Sequence, residues 1–123
     1  MKMLAAATSA SQAGSAATSP PIQLHVDLEV EPAKAKDIAA TFEKTFQPAI
    51  RKQPGFVDVK LLKLRSALQG QAPTNMTYRL LISFQTEEQR KTWVATDLHQ
   101  KVWPAMEKHV KAAKYNILLY DVV

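Results

Sequence analysis

The sequence predicts an α+β fold in which a strand–helix–strand unit occurs twice. Two segments alternate apolar and polar residues as half-buried strands do, and two more are short and apolar on both faces. The two long segments between them carry apolar residues at helical spacing. The two halves also align when the chain is shifted by 56 positions, which places Ile22 on Tyr78. A chain of 123 residues, 46% of them hydrophobic, is long enough for one packed domain.

The first half contains a strand followed by a long helix. The apolar residues of the strand alternate at Ile22, Leu24, Val26, Leu28 and Val30. Pro32 suits the first turn of a helix, and an apolar stripe then recurs every four positions, at Ile38, Phe42, Phe46 and Ile50. Pro48 predicts a kink or a new turn in this helix, because proline has no N–H to donate. Pro54 and Gly55 predict that the helix has ended and the chain turns.

The next predicted elements are a second strand over residues 56–64, a loop over residues 65–76 and a third strand over residues 78–84. Thr86 with Gln89 then forms a capping-box pattern, which indicates a helix start. Asp97 with Gln100 repeats this pattern. The second helical region is therefore predicted as two segments joined near Thr96, and a fourth strand follows over residues 115–123.

An internal repeat supports this order of elements. FQPAIRK at residues 46–52 matches VWPAMEK at residues 102–108 under the same shift that aligns the strands. Two copies of a βαβ unit predict a ferredoxin-like βαββαβ sandwich, with one antiparallel four-stranded sheet and two helices on one face. The other face of the sheet would be bare. We expect it to pair with the same face of a second copy, giving a homodimer.

The N-terminal segment differs from the rest in composition. Residues 1–21 are mostly Ala, Ser and Thr and predict a disordered tail, so that the folded domain spans residues 22–123. A signal peptide needs an apolar centre of about 7 to 15 residues, and only residues 3–7 qualify. This favours a cytoplasmic protein, with export as the alternative if the tail belongs to a signal segment. No apolar run is long enough to predict a membrane partner.

Charge and residue usage exclude several classes of site. The lysines behind the net charge of +5 lie mostly at helix-surface spacing, which indicates a solvated face rather than a nucleic-acid site. The chain has no cysteine, and His25, His99 and His109 show no metal-ligand spacing. None of the three glycines recurs at the spacing of a phosphate-binding loop. We therefore expect neither a metal nor a cofactor.

Three residues have no chemical counterpart in the first half of the repeat. Trp93, His99 and Trp103 align with Asp37, Glu43 and Gln47. His99 and Trp103 are four residues apart on one helix and so share a side of it, and Tyr78 lies on the core face of the third strand. A pocket between sheet and helices is predicted, shaped by Trp93, Trp103 and Tyr78, in which His99 transfers a proton. The alternative is that the aromatic residues are core residues and His99 is a surface or capped histidine.

Two motifs carry a resemblance to a known family: AKDIAATFEKTFQPAIRKQPGF, and YRLLISFQTEEQRKTW followed by LHQKVWPAM. With the order of elements, they make residues 22–123 similar to the antibiotic biosynthesis monooxygenase-like family of the dimeric α/β barrel superfamily. The resemblance implies two sheets facing each other across a dimer and a pocket between sheet and helices in each subunit. It also implies, for several members, oxidation of polycyclic aromatic substrates with dioxygen and without metal or flavin.

The sequence departs from the family at several site positions. Monooxygenase relatives often have histidine at the positions of Trp93 and Leu98, whereas this chain has His99 one position later. In the haem-degrading branch the pocket tryptophan matches Trp93, but Val26 and Trp103 occupy the asparagine and the iron-binding histidine positions. Haem oxidation is therefore not expected. The resemblance favours a cofactor-independent monooxygenase-like protein that binds a small, partly aromatic molecule, with a non-catalytic small-molecule-binding or stress-associated module as the alternative.

Overall fold

The computed structural model describes residues 20–111 and 115–123, so nearly all of the predicted tail over residues 1–21 lies outside it. The strands are β1 (Ile22–Leu28), β2 (Phe56–Lys63), β3 (Tyr78–Phe84) and β4 (Tyr115–Asp121). A 3₁₀ turn (Pro32–Lys34) leads into α1 (Ala35–Thr41), a π-helical turn (Phe42–Phe46) and α2 (Gln47–Ile50). The second helical region consists of α3 (Glu87–Val94) and α4 (Asp97–Glu107). Each predicted strand and helical region is present.

The four strands form one open antiparallel sheet in the order β2-β3-β1-β4. Val26 in β1 lies opposite Leu80 in β3 on one side and Ile117 in β4 on the other. The two strands at the centre come from equivalent positions of the two halves. This is the ferredoxin-like arrangement that the duplicated βαβ pattern predicts.

The hydrophobic core lies between one face of the sheet and the helices. It joins apolar strand residues to the inward stripes of both helical regions. The fully buried members include Leu28, Leu80, Phe84, Ile38, Ile50 and Met106. Burial of the apolar surface of these residues supplies the main favourable contribution to the free energy of folding.

The opposite face of the sheet, here called the open face, has none of the helices of residues 20–111 against it. The strand register arranges its side chains in three cross-strand rows. From β2 to β4 these rows are Leu62, Arg79, Asp27, Asn116; then Lys60, Leu81, His25, Leu118; then Asp58, Ser83, Gln23, Tyr120. Leu62, Leu118 and Tyr120 are between 41% and 49% exposed, which leaves apolar surface in contact with solvent.

The first helical run changes its geometry before Pro48, as the sequence predicts. The N–H of Gln47 bonds to the carbonyl of Phe42, five residues back, which closes the wider turn of a π-helix. Pro48 then occupies the first turn of α2, where a missing N–H costs little.

The second helical region is divided where the sequence predicts, near Thr96. Thr86 caps α3, because its side chain accepts a hydrogen bond of 3.1 Å from the N–H of Gln89. The cap of α4 is Thr96, which accepts a bond of 3.1 Å from the N–H of His99. The prediction of Asp97 as this cap is wrong by one residue. Thr96 has the extended backbone that a capping residue requires, whereas Asp97 already lies in the first helical turn.

The turn at Gly55 is fixed by two constraints. Its φ is +80°, a conformation that strains residues with a side chain. A Cβ placed on Gly55 would also lie 1.9 Å from the side-chain oxygen of Gln89. Glycine is therefore the residue that fits between the first helical run and β2.

None of the helices within residues 20–111 and 115–123 is both long and apolar enough to cross a membrane.

Candidate functional site

The junction between α3 and α4 brings Trp93 and His99 together. The hydroxyl of Thr96 donates a hydrogen bond of 2.7 Å to the carbonyl of Trp93 and accepts one from the N–H of His99. The two rings consequently meet edge to face, with centroids 5.1 Å apart and planes inclined by 85°. One threonine thus bonds to the backbone at the end of α3 and at the start of α4, the two helices that carry these rings.

Trp93 is part of the core. Its side chain is 2% exposed and packs edge to face on Phe46, with ring centroids 6.2 Å apart. Trp103 is half-buried and contacts the same phenylalanine at 6.3 Å and Tyr115 at 5.5 Å. Phe46 therefore links the two tryptophans into one aromatic cluster between α4 and the π-helical turn.

Tyr78 is placed apart from this cluster. It begins β3, is 9% exposed and lies opposite Leu28 and Lys63. Tyr78 borders two cavities near that end of the sheet. The structure thus brings Trp93, His99 and Trp103 together and leaves Tyr78 at a different location.

His99 is half-buried, and its environment favours the neutral imidazole. Burial lowers its pKa, and the positive charge of Arg90 lowers it further. Arg90 is held by Glu87 through hydrogen bonds of 2.6 and 2.7 Å. Within the described residues, the buried Nδ1 of His99 has no hydrogen-bond partner. A neutral ring with a free nitrogen can accept a proton near neutral pH.

All three histidines have a lowered pKa, so we expect stability to fall as the pH decreases from about 7.5 to about 5.5. Above the unfolded-state histidine pKa, near 6.5, the histidines are neutral in both the folded and the unfolded protein. Below it the unfolded chain binds protons first, and stability is lost until the folded-state pKa is passed. Glu87 and Asp58 also have lowered pKa values, which their partners Arg90 and Lys60 cause. The stability that these two carboxylates contribute to the folded protein is lost only at lower pH, where they become protonated.

Urea denaturation at a series of pH values measures this effect. His99→Asn should reduce the dependence of the unfolding free energy on pH between about 7.5 and 5.5. A wild-type curve that is flat in this window would contradict the assignment of neutral histidines.

Three of the cavities in the described part of the chain lie along the ends and edges of the sheet. The first, of about 460 Å³, lies at one end of the open face beneath residues 64–77 and is bordered by Asp27, Arg79 and Tyr78. The second, of about 820 Å³, lies between the start of the first helical run and the end of β2. The third, of about 460 Å³, lies between Phe42 and Leu61, where the first helical run passes β2. The side chains of Trp93, His99 and Trp103 do not border these three.

Ion pairing on the open face was not expected from the sequence. Asp27 is the buried charged residue of the described chain, at 4% exposure, and it accepts bonds of 2.7 and 3.4 Å from the guanidinium of Arg79. His25 lies in the next row, donates a hydrogen bond to Gln23 and contacts Tyr120, with ring centroids 4.7 Å apart and planes inclined by 56°. The sequence signal that could have predicted this ion pair is the register between β1 and β3, because it places Asp27 directly opposite Arg79.

Metal binding has no support from side-chain geometry in the described ranges. Residues 20–111 and 115–123 contain no cluster of three or more histidine, aspartate or glutamate side chains that could hold an ion.

Comparison with known proteins identifies structural but not sequence relatives. No protein-family profile matches the chain, and no curated protein matches it. A candidate antibiotic biosynthesis monooxygenase from Caulobacter crescentus is 22% identical, with a TM-score of 0.67 over 86% of this chain and 92% of that chain. A mutant of SnoaB, a cofactor-independent oxygenase from Streptomyces nogalater, is 16% identical, with a TM-score of 0.66 over 85% of this chain and 94% of that chain.

A dimeric ferredoxin-like protein of unknown function from Jannaschia sp. CCS1 has the same architecture. It is 16% identical, with a TM-score of 0.69 over 83% of this chain and 99% of that chain. These structural similarities extend over most of every chain compared and establish the fold, while the low sequence identities carry no conclusion beyond the fold. The chain therefore has the ferredoxin-like fold of the antibiotic biosynthesis monooxygenase-like proteins, as its resemblance to them predicts.

Proposed function

We propose that this protein is a dimeric, cofactor-independent monooxygenase-like enzyme that binds a small, partly aromatic molecule between sheet and helices. His99 is the proposed base, and Trp93, Trp103 and Tyr78 are the proposed residues that shape the cavity. The fold is shared with SnoaB, which is a cofactor-independent oxygenase.

The observation that carries this proposal is the state of His99. Its ring is half-buried against Trp93, its pKa is lowered by burial and by Arg90, and its buried Nδ1 lacks a partner among the described residues. An unpaired polar atom in an interior is costly. We infer that a substrate hydroxyl supplies the missing hydrogen bond. Because His99 borders none of the three cavities described above, the substrate has to displace neighbouring side chains to reach it.

Base catalysis fits the proposed chemistry. Removing a proton from a phenol or an anthrone gives an electron-rich anion, and this anion can itself donate electrons to dioxygen. The protein then needs to provide a base and a site that orients the flat substrate. His99 would supply the first, and the half-buried ring of Trp103 would supply stacking surface for the second.

Oxygen consumption with a panel of phenols and anthrones tests the proposal. His99→Ala should reduce the turnover rate by about 10²- to 10⁴-fold, the usual contribution of a positioned base. His109→Ala is the matched control, because His109 also has a buried Nδ1 without a partner in the described chain but hydrogen-bonds to Thr41 at 3.0 Å. Equal rates for wild type and His99→Ala would contradict the assigned role.

The burial of Trp93 favours a second candidate, a non-catalytic small-molecule-binding module of the same fold. A tryptophan that is 2% exposed and packed on Phe46 occupies interior volume that a substrate would otherwise use. This alternative predicts saturable quenching of tryptophan fluorescence by the same phenols without oxygen uptake. Oxygen uptake that depends on His99 would exclude it.

The proposed homodimer forms through the open face, whose exposed residues Leu62, Leu118 and Tyr120 offer apolar surface to a second copy. Leu118→Lys should shift the protein to a monomer in size-exclusion chromatography with light scattering, because symmetry places the new charge in the interface twice. Ile117→Lys is the matched control. Ile117 is the preceding residue of β4, is similarly exposed at 56% against 46%, and lies on the helix side of the sheet. A wild-type monomer at micromolar concentration would contradict the dimer.

A further inference from the structure

The cavity beneath residues 64–77 has a composition that the proposed function does not use. It lies at one end of the sheet, where Leu62, Arg79 and Asp27 of the open face border it, whereas His99 is on α4 on the helix side. Its volume of about 460 Å³ is within the range of small-molecule sites. Three of its lining residues are cations, Lys63, Arg65 and Arg79, while Asp27 is the acidic member of the described lining.

The ion pair at the base of this cavity leaves part of Arg79 available. Asp27 engages Nε at 2.7 Å and one N–H of Nη2 at 3.4 Å. A guanidinium has five N–H donors, so three remain after these two bonds, and the Arg79 side chain is 39% exposed. Asp27, whose side chain is only 6% exposed, fixes the position of the Arg79 guanidinium from the buried side. The guanidinium is thus oriented before any ligand arrives, which lowers the entropic cost of binding.

An ion pair of this kind is not explained by stability. Burying a carboxylate carries a desolvation penalty that the attraction to its partner only partly offsets. Apolar residues of similar volume often give a fold of equal stability. A charged side chain held rigidly at a cavity is instead a feature of binding sites.

The remaining lining indicates the chemistry of the ligand. Leu62, Leu64, Met76 and Tyr78 give the cavity apolar walls around the cationic group. An inorganic anion would gain nothing from these walls, and a neutral hydrocarbon would gain nothing from Arg79. We propose that this cavity binds a small organic carboxylate with an apolar body, whose carboxylate contacts Arg79 and Arg65 and whose body packs on the apolar walls. Fork-to-fork pairing of arginine with a carboxylate provides the orientation.

This site requires neither His99 nor dioxygen, so its ligand binding can be measured separately from the proposed oxygenase activity. Tyr78 is the residue that the two proposals share. In the proposed dimer the second sheet would lie across the same face, so that both copies would border the ligand.

Titration of the full chain with benzoate, 4-phenylbutyrate and octanoate, followed by calorimetry and by the Nε–H NMR signal of Arg79, tests the proposal. At least one carboxylate should bind saturably and shift this signal. Its uncharged amide should bind about tenfold more weakly or worse, because it lacks the charge-assisted hydrogen bonds. Inorganic phosphate should also bind more weakly, because it lacks an apolar body.

Variants separate the roles of the arginines. Arg65→Gln removes an exposed cation, leaves the ion pair intact and should weaken carboxylate binding severalfold. Asp27→Asn combined with Arg79→Gln removes both charges together, so that no charge is left buried alone, and should abolish binding. Arg51→Gln is the matched control, because Arg51 is exposed in the turn after α2 and does not border the cavity.

Four outcomes would overturn the proposal. They are the absence of binding by all three carboxylates, equal binding of carboxylate and amide, equal binding of phosphate, and unchanged binding by the folded double variant.

Discussion

Replacing Trp93 by alanine is expected to lower the free energy of unfolding by about 3 to 5 kcal/mol. The tryptophan is 2% exposed and is among the largest fully buried side chains of the described chain. Its removal leaves a cavity beside Phe46 and also removes the edge contact that supports His99. Since a domain is typically stable by about 5 to 15 kcal/mol, this single change should bring the protein close to unfolding.

Urea denaturation followed by circular dichroism measures the loss. Trp103→Ala is the matched control, because Trp103 contacts the same phenylalanine but is only half-buried. Its loss should be smaller, in proportion to the smaller area removed from water. Equal losses for the two variants would mean that Trp93 contributes no more than a partly exposed ring, contrary to its position in the core.

Arg79→Ala is expected to lower the free energy of unfolding by about 2 kcal/mol, because it leaves the carboxylate of Asp27 buried without its partner. Breaking a fully buried pair costs about 3 to 5 kcal/mol. The expected value is lower here, since Arg79 is 39% exposed and its removal admits water to the carboxylate.

The partly buried pair of Arg90 with Glu87, within α3, provides the comparison for this prediction. Arg90→Ala should cost at most about 1 kcal/mol, because Glu87 retains 23% side-chain exposure and remains hydrated. Combining Arg79→Ala with Asp27→Asn should recover part of the lost stability, as the uncompensated charge disappears. If the double variant is no more stable than Arg79→Ala alone, the penalty does not arise from an unpaired carboxylate.

The strands and the repeat were predictable because they depend on local patterns. Alternation alone locates Ile22–Leu28 and Tyr78–Phe84, and the shift of 56 positions carries the bounds of one strand onto those of the other. The cap of α4 was missed by one residue. Thr96 and Asp97 are both good capping residues, and the backbone conformation that decides between them is not written in the pattern.

The site was less predictable, because contacts between distant segments decide it. The repeat singled out Trp93, His99 and Trp103, but sequence alone could not distinguish a pocket tryptophan from a core one. The pair of Asp27 and Arg79 is separated by 52 residues and depends on strand register. The cavity above it depends on the path of residues 64–77, a loop that carries no periodic signal.

The π-helical turn explains how an apolar stripe with a spacing of four residues can face one sheet. In an ideal α-helix with 3.6 residues per turn, positions four apart are displaced by about 40° around the axis, so the stripe from Ile38 to Ile50 would rotate by about 120°. The bond from Gln47 to Phe42 spans five residues and widens one turn, which compensates for part of this rotation. Ile38, Phe46 and Ile50 are each no more than 1% exposed. The wider turn thus corrects the phase of the helix, and the angular position of Ile50 over the sheet depends on it.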